Sequence, residues 1–213
     1  MTVQPLGDEA FLLRDFGLAD PYALSQQVAS FPGVRESVSA YETVAVYVDP
    51  EVFDLNRFVA LAERCADELK PMVGRLIEIP VCYSMGLDFG DVCGALKLGP
   101  EELINAHTSH EYTCHAIGFC PGFPYLGYLP PPLCGLSRLP SPRSWVPKGS
   151  VGITGNQTGV YPQESPGGWR LIGRTPLEIA SLEDAYFPIT PGDRVRFVSI
   201  SEREFEALEG KRL

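Results

Sequence analysis

The order of apolar and polar positions changes character once along the chain. Over the first 80 or so residues the apolar positions keep short, regular periods. Phe11 to Phe16 reads as a short apolar strand. Asp20-Pro21 offers a side-chain cap followed by proline at the first helical position, where its missing N–H costs no hydrogen bond, and predicts a helix to about Ser30. Arg35 to Tyr41 alternates, and Thr43 to Val48 is rich in β-branched and aromatic residues, so together they predict a hairpin. Asp54 is placed to cap a second helix, in which Leu55, Phe58, Val59, Ala62, Ala66 and Leu69 recur at helical spacing; Pro71 would end it. Arg75 to Tyr83 reads as another strand. Strand, helix, two strands, helix, strand is the order of a ferredoxin-like split βαβ unit, which predicts an α+β domain over residues 1–83.

From residue 84 onward the periods shorten. The segment Pro100 to His107 predicts one amphipathic helix, with Glu101 and Glu102 in the first turn where the helix dipole favours acids. No long helical period follows. The 59 residues from Gly118 to Pro176 hold 11 of the 21 glycines and 11 of the 20 prolines, interleaved with runs such as Ser150 to Thr154. Short strands broken by frequent turn residues predict a β-barrel or sandwich with long, shaped loops. Pro191-Gly192-Asp193 is a turn, and Arg194 to Ile200 an alternating strand. A mainly β domain over residues 84–213 is the expectation.

Charge alters this picture locally. The whole chain carries 17 basic and 27 acidic residues, a formal net charge of −10, which disfavours nucleic acid and anionic membrane as partners. Between Gly118 and Pro176, however, stand five basic residues (Arg138, Arg143, Lys148, Arg170, Arg174) against the single acid Glu164. A positive segment in an acidic chain suits an anionic ligand such as a carboxylate or phosphate. The six cysteines are scattered without a CxxC pair and are read as reduced. No run of about 18 apolar residues is present to span a bilayer, and the first residues lack a signal-peptide pattern, so the cytoplasm is the expected location.

Three segments carry candidate chemistry. Gly118 to Gly127 contains Pro121 and Pro124 and three glycines, so it forms no regular helix and is expected as a rigid loop presenting Phe119, Phe123 and Tyr125, either as an apolar wall against a ligand or as a buried barrel corner. Gly155 to Pro162 places Gln157, Thr158 and Tyr161 in a turn-rich stretch whose amides and hydroxyls suit a polar ligand, although turn chemistry alone accounts for its glycines. In Ser165 to Pro176, the pair Gly167-Gly168 precedes Trp169, and Arg170 and Arg174 lie four apart. Residues four apart in a strand share a face, so two guanidiniums could converge on an anion; the alternative is a core tryptophan beside solvated arginines. His107, His110, Cys114 and His115 fall within nine residues, but their spacing does not converge and no distant ligand completes a set, so no metal is expected. There is no GxSxG elbow and no GxxxxGK[ST] phosphate loop.

Gly118 to Gly127, Pro142 to Pro176 and Pro191 to Phe197 together resemble the signature blocks of the group comprising the 5-oxoprolinase B subunit, KipI and allophanate hydrolase subunit 1. The likeness extends over most of residues 75–200, whereas the first 75 agree in element order only. Four positions depart from it: Cys120 stands where alanine is usual, Tyr128 where a second glycine is usual, and Cys114 and His115 lie outside the pattern. The resemblance implies a ferredoxin-like domain followed by a cyclophilin-like barrel, with the 5-oxoprolinase C subunit (KipA-like) and A subunit as partners. It implies an ATP-dependent opening of 5-oxoproline to glutamate, with ATP shared by the complex and this chain inactive alone. Its alternatives are an inhibitor that binds a sensor histidine kinase and a carboxyltransferase subunit of urea-type metabolism. On this resemblance the substrate-binding residues are expected among Phe123, Tyr125, Gln157, Thr158, Tyr161, Gly167, Gly168, Trp169, Arg170 and Arg174. Asp193 is the candidate base or orienter, with a turn role as its alternative.

Overall fold

In the computed structural model, which describes residues 1–17, 20–69 and 74–213, the capping residues read from the sequence start both helices of the N-terminal unit. The Asp20 carboxylate accepts the Ala23 amide at 2.9 Å and opens α1 (Pro21–Val28); Asp54 accepts the Arg57 amide at 3.1 Å and opens α2 (Leu55–Glu68). Pro71, the expected terminator of α2, lies outside the described residues. Strands β1 (Thr2–Pro5), β2 (Ala10–Arg14), β3 (Val34–Ala40) and β4 (Thr43–Val48) form an antiparallel sheet in the order β1-β2-β4-β3. Leu24, Val28, Phe58 and Ala62 from the helices meet Leu13, Val44 and Val46 from the sheet in one buried cluster.

The two units divide at Val73/Gly74, ten residues before the boundary at 83/84 expected from the sequence. The cause is β5 (Leu76–Val81). The element order predicts that it completes the ferredoxin-like sheet, but it pairs in parallel, along its whole length, with β13 (Arg194–Ser199) of the second unit. The place beside β2 is taken by β1 instead. A strand of alternating apolar residues satisfies either sheet, and pairing partners more than 110 residues away leave no local trace.

The second unit is mainly β. Strands β6 (Glu111–Ile117), β7 (Pro124–Gly127), β9 (Ser150–Thr154), β10 (Gln157–Val160) and β12 (Arg170–Arg174) join β5 and β13 in a seven-stranded sheet ordered β12-β9-β10-β7-β6-β13-β5. β8 (Arg143–Val146) and β11 (Ser165–Gly167) form a separate antiparallel pair. The two edges of the large sheet meet: Cys82, just past β5, exchanges both backbone hydrogen bonds with Arg174 of β12, at 2.8 and 3.0 Å. The sheet is therefore nearly closed into a barrel, which removes the unpaired edges an open sheet exposes. Closure requires glycine. A Cβ on Gly86 would lie 2.3 Å from the backbone of Ile172, and one on Gly173 2.5 Å from a methyl of Val81.

Residues 84–91, which follow the domain boundary expected at 83/84, belong to this closure. A 3-10 turn (Tyr83–Met85) leads to α3 (Phe89–Leu96), and α3 buries Val92 and Cys93. At the start of α3 the buried Asp88 carboxylate accepts the Leu171 amide of β12 at 2.7 Å and holds the Arg143 guanidinium of β8 through both oxygens, at 3.1 and 2.5 Å. Its own amide donates to the Leu171 carbonyl. After α4 (Pro100–Thr108), in which Glu102 reaches back to the Gly99 amide at 2.7 Å, the chain enters β6; α5 (Glu202–Leu208) follows β13, capped by Ser201. No helix among the described residues is long and apolar enough to cross a membrane.

Inside the barrel, Ile79, Leu103, Leu126, Val151, Ile153 and Phe197 surround a polar chain centred on His107 of α4. Nδ1 of His107 lies 2.6 Å from the Tyr83 hydroxyl, and Nε2 lies 3.1 Å from the Thr158 hydroxyl. Thr158 donates its proton to the Gly152 carbonyl, so it accepts from Nε2–H, and Nδ1 accepts from Tyr83. His107 is thus neutral, stacked on Phe197 with ring centroids 4.4 Å apart, and complete burial lowers its pKa from 6.5 to about 3. Between those values the unfolded chain binds a proton that the folded chain refuses, so stability is lost as pH falls below about 6.5, by up to about 1.4 kcal/mol per pH unit. Unfolding free energies measured at pH 7 and pH 5 are expected to fall in the wild type and to fall less in His107→Gln, whose amide can keep both hydrogen bonds without titrating. Equal losses in the two proteins would show that His107 does not set the acid sensitivity.

Candidate functional site

Outside the barrel core, Phe123, Val146, Tyr161, Trp169 and Leu171 form a second cluster, and the rings among them floor a cleft of about 340 Å³. Phe123 is its hub. Fully buried at the entry to β7, it meets Tyr125, Tyr161 and Trp169 edge-on, with ring centroids 5.0, 5.2 and 5.4 Å away. Gly159 makes room for it, since a Cβ there would lie 2.9 Å from the Phe123 ring. The walls are Tyr125, Trp169, Gly167 and Gly168 on one side and the loop Arg138 to Pro142 on the other. The Leu139 amide donates to the Gly168 carbonyl at 2.7 Å and joins the two walls.

Phe119 stands at the mouth with its ring more than half exposed, 5.4 Å from Phe123 and 6.1 Å from Tyr161. Its φ of 64° is left-handed, which costs a bulky residue about 1–3 kcal/mol and persists only where the surroundings enforce it. The enforcement is local: Cys120 donates to the Gly118 carbonyl, Phe123 to the Cys120 carbonyl, and Gly118 to the Phe123 carbonyl. An exposed aromatic ring is thus held at the lip of the aromatic cleft by its own loop.

The cleft's polar equipment is sparse. Burial raises the pKa of the Tyr161 hydroxyl, against opposing influences from the Trp169 backbone and the charge of Arg138; burial likewise raises Tyr125, again opposed by Arg138. Both tyrosines are therefore neutral hydroxyls at physiological pH, able to orient a ligand but not to act as bases. Among the described lining residues Arg138 is the one charged group.

Six of the residues expected at a site, Phe123, Tyr125, Tyr161, Gly167, Gly168 and Trp169, meet in this cleft. The others do not. Thr158 is buried in the barrel core with His107, and Gln157 is held in the sheet between Thr154 and Gly127. Arg170 and Arg174 do not converge, because β12 bulges between Leu171 and Gly173 and the extra residue breaks the alternation that would have put them on one face. Arg170 Nε reaches the Ser137 carbonyl at 3.5 Å. Arg174 Nε donates to the Lys148 carbonyl at 2.9 Å, and its guanidinium lies 5.5 Å over the Phe205 ring of α5, in a smaller hollow shared with Lys148 and Glu178.

Asp193 also lies away from the cleft. Its buried carboxylate accepts from the Arg75 backbone and guanidinium and from the amide and hydroxyl of Thr190. Burial pushes its pKa up, but the Arg75 and Thr190 hydrogen bonds outweigh this, so the net displacement is downward. The group is a structural anchor between the starts of β5 and β13. His110 packs on Tyr112 and His115 on Tyr128, Cys114 is buried with its thiol pushed up to about 12, and all six cysteines are free. Among the described residues no three potential metal ligands gather.

Sequence reasoning missed Arg138 as a member of the site and Asp88 as its support. Arg138 was countable in the positive segment, but its proline-rich loop shows no period that would aim it at Trp169. Asp88 stands in a stretch with no apolar period or motif to mark it.

The model of the family described as carboxyltransferase domain, subdomain C and D, matches residues 1–186. The chain is 37% identical to the B subunit of 5-oxoprolinase from Bacillus subtilis (strain 168), over 96% of this chain and 95% of that one. Among solved structures, the protein TTHA0988 superposes with a TM-score of 0.75 at 34% identity, covering 90% of this chain; the chain spans 40% of that protein's length. The urea carboxylase of Kluyveromyces lactis superposes with a TM-score of 0.71 over 97% of this chain and 22% of its own; at 18% identity this is a likeness of fold.

The two adjacent glycines of the cleft wall differ in what they tolerate. A Cβ on Gly167 would lie 2.5 Å from the Tyr161 hydroxyl, whereas one on Gly168 would make ordinary contacts of 3.7 Å with Arg138 and Pro142. Gly167→Ala is expected to lower the unfolding free energy by about 1–3 kcal/mol, the usual cost of overpacking. Gly168→Ala is expected to stay within about 0.5 kcal/mol of wild type. Denaturant unfolding of both variants checks the contrast, and similar stabilities would contradict this packing of the wall.

Proposed function

The chain belongs to the carboxyltransferase domain C and D family, and from that premise we propose that it is the B subunit of an ATP-dependent 5-oxoprolinase, a hydrolase assembled from several subunits. The observation that carries this reading is the end-to-end match to a 5-oxoprolinase B subunit, 37% identical over nearly the full length of both chains. The family group's folds go with it: a cyclophilin-like barrel for the second unit, and a ferredoxin-like first unit whose fourth strand is β1 in place of β5.

The cleft supports the reading chemically. Its volume of about 340 Å³ accommodates a small ring, its walls are aromatic, and its polar groups are neutral hydroxyls and one guanidinium. In the proposed reaction the lactam C–N bond of 5-oxoproline breaks, one water supplies the new carboxylate oxygen and the amine protons, and a second water is consumed as ATP is converted to ADP and phosphate. A lactam is poorly electrophilic, so its oxygen must be activated and a base must direct the water. Among the described lining residues no carboxylate or imidazole is present to do either. We assign binding and orientation to this chain, through Phe123, Tyr125, Tyr161, Trp169 and the Gly167-Gly168 backbone, and assign activation and the base to the partner A and C subunits. Asp193, committed to Arg75 and Thr190, serves the fold in this reading. Kinase inhibition and urea-type carboxyl transfer are not favoured: the full-length relative carries the 5-oxoprolinase name, and the urea carboxylase likeness is one of fold.

Reconstitution tests the proposal. The isolated chain is expected to release no glutamate from 5-oxoproline with ATP, whereas its mixture with the cognate A and C subunits does. In that mixture Trp169→Ala is expected to lower kcat/KM by about 10-fold or more, since a cleft-lining aromatic ring contributes roughly 1–3 kcal/mol of contact. Turnover by the chain alone would sink the shared-site model, and an inactive mixture of folded subunits would sink the 5-oxoprolinase assignment.

A further inference from the structure

Of the five cations in the positive segment, four are already engaged. Arg143 is held by both oxygens of Asp88, Lys148 pairs with Glu178 at 3.0 Å, Arg170 reaches the Ser137 carbonyl, and Arg174 is bonded to the Lys148 carbonyl and packed on Phe205. Arg138 has no hydrogen-bond or ion-pair partner among the described residues and borders the aromatic cleft. Its charge reaches the cleft interior, because it lowers the pKa of both the Tyr125 and the Tyr161 hydroxyl against the rise that burial imposes.

We propose that Arg138 is the specificity-determining residue of the cleft, selecting small cyclic ligands that bear a carboxylate beside the ring and pairing with that carboxylate while Phe119 and Trp169 cover the ring faces. This deepens the reading of the cleft as the substrate site of a lactam hydrolase and rests on it. The geometry supports the role in three ways. First, the loop that carries Arg138 is pinned on both sides: Gly135 and Leu136 exchange backbone hydrogen bonds of 2.7 Å with Gly155, and Leu139 donates to Gly168 at 2.7 Å. The backbone that carries the cation is therefore fixed at the cleft before a ligand arrives, which reduces the entropy lost on ordering the loop. Second, no acid lines the cleft among the described residues, so an incoming carboxylate meets no like charge. Third, a guanidinium–carboxylate pair is a charge-assisted contact with two parallel hydrogen bonds, stronger than a pair of neutral ones. A guanidinium also matches both carboxylate oxygens at once, which lysine does not.

The test compares 5-oxoproline with its neutral carboxamide, which keeps the ring and removes the charge. Equilibrium dialysis of each compound against the reconstituted complex without ATP gives affinities, and turnover with ATP gives kcat/KM. The wild type is expected to prefer the carboxylate. Arg138→Gln is expected to weaken 5-oxoproline roughly 10- to 100-fold, through KM more than kcat, while changing the carboxamide less than about 3-fold; Arg138→Lys falls between. Because Arg138 is exposed and unpaired, both variants should melt within a few degrees of wild type. An unchanged preference in Arg138→Gln, or an equal loss for both compounds, overturns the proposal and leaves the 5-oxoprolinase reading standing. Absence of 5-oxoproline turnover by the wild-type complex overturns that reading instead. Even then, dialysis showing Arg138-dependent retention of the carboxylate would support the role of Arg138, and no such dependence would refute it.

Discussion

The meeting of the two sheet edges is the constraint on which the second unit depends. Cys82 and Arg174 exchange two backbone hydrogen bonds, and Asp88 exchanges two more with Leu171, one through its carboxylate and one through its amide. These bonds join the strand that begins the barrel to the strand that ends its sheet order, and they satisfy backbone groups that a bulged edge strand would otherwise leave open. The approach is close enough that Gly86 and Gly173 admit no side chain. Removing Arg143 would leave the Asp88 carboxylate buried with one amide donor from Leu171, whereas Arg143, partly exposed, can turn to solvent if Asp88 is removed.

The cleft inherits its shape from that closure. Leu171, fixed by Asp88, is two residues from Trp169; Arg143, fixed by the same carboxylate, anchors β8, which pairs with Ser165 and Gly167 of β11. One buried carboxylate thus ties down, from both ends, the wall that holds Gly167, Gly168 and Trp169. With the walls determined by backbone hydrogen bonds, the rings around Phe123 pack edge-on with little freedom, and the strain at Phe119 is sustained by the three hydrogen bonds of its own loop. A preorganised apolar cleft of this kind binds well and reacts poorly, because its hydroxyls are neutral and its charge is a cation that cannot lose its proton.

The buried imidazole and the buried carboxylate of perturbed protonation lie elsewhere. His107 is held neutral by burial and by the relay from Tyr83 through Thr158 to Gly152, and Asp193 is held ionised by Arg75 and Thr190. Perturbed titration often marks catalysis, but here each group joins elements distant in sequence, and neither borders the cleft. In this chain His107 and Asp193 stabilise the barrel, and aromatic groups with one guanidinium line the cleft.

Local chemistry was legible in the sequence wherever it decides structure by itself. Asp20 and Asp54 cap helices because a short acceptor before an apolar period has few better uses, and the density of glycine and proline between residues 118 and 176 announced short strands with shaped loops. The six cleft residues read from the sequence share two signals, aromatic rings beside conformationally permissive glycines. Long-range pairing decided the rest. Whether Leu76 to Val81 completes the first sheet or joins the barrel depends on β13, over 110 residues away, and both choices suit its alternation equally. Arg170 and Arg174 have the spacing of one face, and a bulge at Leu171, whose amide is held by a carboxylate more than 80 residues earlier, separates them. Arg138 reaches the cleft because its loop is bonded to Gly155 and Gly168. Side-chain period and capping act within a few residues and are written locally; sheet closure and the convergence of loops are settled by hydrogen bonds between distant segments, which no local pattern encodes.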